Sequence, residues 1–79
     1  DLLHSEITRW RAALRRTVLQ AIEAGHLPPD TPPDQLVAEM YSLIMGLLHD
    51  VRFLRDPQAA QRTEASWARL VKSYLPSPA

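Results

Sequence analysis

The sequence has no cysteine, so it can build neither a disulfide framework nor a thiolate zinc site, and a reducing compartment suits it. Two glycines are too few for a glycine-rich phosphate loop. No apolar run reaches the ~18 residues that span a bilayer, and the N-terminus lacks a signal-peptide pattern. Charge of neither sign prevails: nine basic and nine acidic residues cancel, leaving no electrostatic footprint for nucleic acid or an anionic membrane. A cytoplasmic protein without membrane contact is the expectation.

The residues that carry chemistry are also scattered. His4, His26 and His49 stand too far apart for a helical two-ligand pair, and no HExxH or ExxH spacing occurs. His49 and Asp50 are adjacent, and adjacent helix residues point ~100° apart. Ser5, Ser42, Ser66 and Ser73 lack a nucleophile-elbow context, and no carboxylate pair stands on an apolar face. The expectation is a non-enzyme with no catalytic residue, no metal and no cofactor.

What is there is helical. The chain has 79 residues, 46% hydrophobic and 23% charged, a globular composition in one small domain or a piece of a larger one. A chain of this length buries only a little over ~60% of its unfolded surface, so self-association is the expected further source of stability. It begins at Asp1 without a methionine, which suggests a piece of a longer protein.

Three helices are expected, over about 2–24, 33–55 and 57–74, in an all-α fold. In the first, Leu3, Ile7, Trp10, Leu14, Val18, Ala21 and Ile22 recur at three and four. Arg9, Arg11, Arg15 and Arg16 decorate its other faces as solvated cations. Gly25 reads as the C′ glycine that ends it. Pro28, Pro29, Pro32 and Pro33 then enforce a rigid connector. Thr31 is placed to cap the middle helix, with Asp34 completing a capping-box spacing. Asp56 and Pro57 repeat this start for the third helix, which Pro76 and Pro78 end. The short connection makes the last two helices an antiparallel hairpin.

The chain is organised around the middle helix. Leu36, Met40, Leu43, Leu47, Val51 and Leu54 form one seam, widened by Val37, Tyr41, Ile44 and Leu48. The apolar arc covers roughly half the circumference, against the ~100° stripe of an ordinary surface helix. On its flank Ala38, Ser42 and Gly46 recur at spacings of four, followed by His49 and Phe53. Small residues so spaced let another helix approach closely, and Gly46, which costs about 1 kcal/mol relative to Ala in a helix interior, is expected to have such a packing reason, the alternative being a tolerated glycine on a solvated face. In the third helix Ala60, Trp67, Leu70, Val71 and Tyr74 share the apolar face. Met45, Tyr41 and Phe53 fall outside the seam and are candidates for an interface or a pocket mouth.

The segment AIEAGHLPPDTPPDQLVAEMYSLIMGLLHDVRFLRDP, Ala21 to Pro57, resembles the regulatory domain of the tetracycline-repressor (TetR) family of bacterial transcription factors. The resemblance rests on the helix end with Gly25 and Leu27, the connector with Asp30 and Asp34, and the long helix with Leu36, Ala38, Leu43, Gly46 and Leu47. The ending LVKSYLP, Leu70 to Pro76, is similar to that family's final helix. The family implies an N-terminal helix-turn-helix domain that binds operator DNA and is absent from these residues. It also implies a helical domain that binds a small inducer, and a homodimer in which the last two helices form a four-helix bundle across a two-fold axis.

The resulting expectation is the dimerisation and effector-binding part of a TetR-like regulator, a repressor by family, whose effector would be apolar or amphipathic. Ala38, Ser42, Gly46, His49 and Phe53, with Ala65, Ala68 and Lys72 of the third helix, would face the second subunit. Leu36, Met40, Leu43, Leu47 and Val51 would face inward. Trp10, Leu14, Met40, Tyr41, Leu43, Ile44, Leu47 and Trp67 are candidates for a ligand pocket or the core. The alternative is a small helical interaction module that docks a partner protein's helix.

Overall fold

A computed structural model describes residues 1–76. They form three α-helices, α1 (Leu2–Glu23), α2 (Pro33–His49) and α3 (Ala59–Tyr74), with a five-residue π-helical turn (Asp50–Leu54) continuing α2. The all-α class follows from the period of three and four in each segment. Two compact units divide the chain, one from Asp1 to Ala38 and one from Glu39 onward.

In the first unit α1 starts on Asp1, whose carboxylate accepts the Leu3 N–H at 2.8 Å. It ends in a Schellman closure: the Gly25 N–H donates to Ile22 O and the His26 N–H to Ala21 O, with Gly25 at φ 82°. The C-terminal half of α1 supplies buried Val18, and Leu36 and Val37 from the first turns of α2 are buried as well. Arg15 pairs with Asp34 at 2.9 Å; both side chains are exposed, so the pair adds little.

Thr31 departs from its expected capping role. Its hydroxyl donates backward to Pro28 O at 2.7 Å, and its own N–H goes to the same carbonyl. Thr31 is buried, and this local pairing satisfies a hydroxyl that burial would otherwise strand. The first helical bond of α2 runs instead from the Leu36 N–H to Pro32 O.

The second unit holds the rest of α2, the π turn and α3. The Tyr74 hydroxyl, at the end of α3, reaches the Glu39 carboxylate on α2, which fixes the two arms as antiparallel. Buried Met40 and half-buried Tyr41, Leu43, Ile44 and Leu47 come from the α2 arm. Buried Ala59 and half-buried Thr63, Ser66, Trp67, Leu70, Val71 and Tyr74 come from α3, spaced at three and four. Ala60, expected on this face, is exposed; Ala59 takes the place, because the helix starts two residues later than its proline suggested. Asp56 is still a cap of sorts: it accepts the Gln58 N–H at 2.9 Å and holds Arg62 at 2.6 Å, but over the turn that precedes α3. Pro78 lies outside the described residues.

The largest departure lies at the end of the middle helix. Val51, expected to face inward, is 50% exposed, and Leu54 of the same seam is 67% exposed. From Asp50 the bonding lengthens to i→i+5, each residue advances less than ~100°, and the phase of the seam is lost. Arg55 closes the turn in the left-handed region at φ 49°, ψ 39°.

Gly25 makes the first test. A Cβ there would meet nothing within 4 Å, so only the backbone conformation opposes a side chain. Gly25→Ala is expected to cost about 1–2 kcal/mol, the penalty of a side chain in the left-handed region. In urea denaturation the midpoint should fall with the slope unchanged.

Candidate functional site

Each residue expected to face a second subunit can now be placed on its own unit. On the α2 arm of the second unit Ser42, Gly46 and His49 are exposed, and so is Phe53 on the π turn, at 71%. His49 and Phe53 lie against one another, ring centroids 4.9 Å apart and tilted by 55°. On α3 the residues Ala65, Ala68 and Lys72 are exposed, at the spacings of three and four that define one helix face. Ala38 is half-buried in the first unit. The packing reason expected for Gly46 is not found among the described residues, since a Cβ built on it meets nothing within 4 Å. Met45 is exposed and Leu48 is about half exposed, so this end of α2 carries more apolar surface than the hairpin covers.

The residues expected in a pocket or core separate. Met40, Tyr41, Leu43, Ile44, Leu47 and Trp67 belong to the apolar interior of the second unit, Met40 buried and the others half-buried. Leu14 is half-buried in the first unit. Trp10 is not a core residue: it is 59% exposed, in a shallow depression of about 350 Å³ on α1 shared with Glu6, Arg9, Ala13 and Arg16. Arg9 is tied to Glu6 there at 3.4 Å. Among the described residues no group of three or more His, Cys, Asp or Glu could hold a metal ion.

One polar contact escaped the sequence reading. The Tyr74 hydroxyl donates to a Glu39 carboxylate oxygen at 2.5 Å, joining residues 35 apart in sequence. By period Tyr74 is an apolar-face residue, and the one sign of its partner in the sequence is that Glu39 stands between Ala38 and Met40, at the edge of the seam. The bond holds the phenol above its ordinary value of 10.0; partial burial and the charge of Glu39 act in the same direction.

The sequence family described as "Tetracyclin repressor-like, C-terminal domain" matches residues 1–67. The match covers most of the chain, and the chain belongs to this family of TetR-like regulatory domains. Domains of the family typically dimerise and are typically non-enzymatic. No curated protein and no solved structure matches the chain. Among the described residues no helix is long and apolar enough to cross a membrane.

The Glu39–Tyr74 contact predicts a pH dependence with a definite sign. A phenol whose pKa is raised by folding stabilises the fold fully below its unfolded value, and the contribution is lost as pH rises through the raised one. Thermal stability should therefore fall above about pH 10. Tyr74→Phe is expected to cost about 1 kcal/mol at neutral pH and to remove that part of the alkaline fall. Parallel melting curves at pH 7 and pH 10.5, followed by circular dichroism, check both outcomes.

Proposed function

We propose that this chain is the dimerisation and effector-binding part of a TetR-like transcriptional regulator acting as a repressor. Two copies associate through the outer faces of α2 and α3, with Ala38, Ser42, Gly46, His49 and Phe53 on one helix and Ala65, Ala68 and Lys72 on the other. Four helices then share one bundle, as hairpins do when each supplies half of a core. A small apolar or amphipathic effector, bound among the interior residues of the hairpin, shifts the dimer between two arrangements. The equilibrium between them sets the affinity of a helix-turn-helix domain elsewhere in the protein for operator DNA.

The observation that supports this reading is the open space over Gly46, one turn from exposed Ser42, on a helix otherwise rich in apolar side chains. A mid-helix glycine in solvent costs about 1 kcal/mol relative to alanine and gains nothing. At a helix crossing the same glycine admits a partner backbone.

Two substitutions at Gly46 test the assignment by opposite effects. Gly46→Leu places a large side chain at the crossing and is expected to convert a dimer into a folded monomer in light scattering. Gly46→Ala is expected to raise helix stability by about 1 kcal/mol at dilutions where the chain is monomeric, while weakening the dimer. An unchanged dimer mass for Gly46→Leu rejects this face. A wild-type chain that stays monomeric at every concentration favours docking of a partner protein's helix instead.

A further inference from the structure

The end of the middle helix carries two patterns that disagree. Met40, Leu43, Leu47, Val51 and Leu54 keep one unbroken α-helical spacing in the sequence. The structure follows it only as far as Leu47, with Met40 buried, Leu43 and Leu47 half-buried, and Val51 and Leu54 50% and 67% exposed. The break falls at Asp50, where the π turn begins. Its closure is local: the N–H groups of Arg55 and Asp56 both donate to Asp50 O, and Arg55 occupies a left-handed conformation that a side chain disfavours. No side chain caps the start of the turn.

We propose that Asp50–Leu54 is a two-register element, exchanging between this π turn and a continuous α-helix through Leu54. In the α register Val51 and Leu54 return to the seam of Met40, Leu43 and Leu47, and the strained Arg55 conformation is released. In the π register both N–H bonds to Asp50 O are kept. Each register satisfies what the other gives up. The tip of the hairpin can thus change its apolar surface without unfolding, the requirement for an element whose equilibrium binding can bias.

Substitutions that push the register in opposite directions test this, read by Cα chemical shifts and amide exchange over residues 49–56 of the full chain in solution. Arg55→Gly removes the left-handed penalty and should move the population about tenfold toward π. Leu54→Ser should move it the same way, because the α register would bury the hydroxyl. Arg55→Val, whose branched side chain resists the left-handed region, should move it toward α. The three spectra are expected to fall on one line with the wild type between them, and exchange of the Arg55 and Asp56 amides should slow in Arg55→Gly and quicken in Arg55→Val. Shifts for residues 50–54 that do not move in Arg55→Gly and Leu54→Ser overturn the proposal. So do coil shifts, in place of α shifts, in a folded Arg55→Val chain.

Discussion

The structure depends on how much apolar perimeter α2 carries relative to what is available to cover it. In the second unit a single arm, α3, faces it. One helix packed on another covers a stripe, and the apolar arc of α2 is about half its circumference. Met40, Leu43, Ile44 and Leu47 lie toward the interior, while Met45, Leu48, Phe53 and Leu54 remain exposed. Among the described residues of this unit only Met40 and Ala59 are buried, and the rest of its interior is half-buried. A core of half-buried residues is weak, since the stabilisation scales with the apolar area removed from water. The hairpin is therefore held in part by a polar tie between its arms, Glu39 to Tyr74, while Asp56 and Arg62 tie the connection to the start of α3.

Those ties differ in quality. Arg62 and Asp56 meet at 2.6 Å, and the same arginine reaches Gln58, so one guanidinium spans the connection. Its side chain is largely exposed and water competes for it. The Glu39–Tyr74 bond is partly buried and links the arms directly, so its loss takes from the half-buried phenol the acceptor it has on the other arm. The open end of the hairpin is thereby fixed more firmly than the connected end. That asymmetry agrees with the location of the irregular turn and the exposed apolar residues at the connected end.

The sequence made the helices legible wherever local chemistry and periodicity agreed. Gly25 could be read as a helix stop because only glycine adopts φ 82° without cost, and the two bonds of the Schellman closure follow from that single torsion. The period of α3 gave Trp67, Leu70, Val71 and Tyr74 correctly. The reading failed where a side chain had two possible partners. Thr31 could cap α2 or bond back to Pro28, and burial decided for the nearer carbonyl. Asp56 and Pro57 have the composition of a helix start, yet one turn intervenes before α3 begins.

The exposed face was legible in a different sense. Spacing alone put Ser42, Gly46 and His49 on one side of α2, but spacing cannot distinguish a solvated glycine from one awaiting a neighbour. The empty volume over Gly46 excludes only packing against the described residues, and a solvated glycine and one that meets a neighbour fit it equally. The π turn was invisible for a related reason. Nothing in Asp50–Leu54 breaks a helix by composition, there being neither glycine nor proline, and the apolar repeat argues for continuation. The phase changes where the chain turns toward α3: the Arg55 and Asp56 N–H groups both bond Asp50 O, and Arg55 takes the left-handed conformation that closes the turn. The cost falls on Val51 and Leu54, two apolar side chains left exposed at the hairpin's tip.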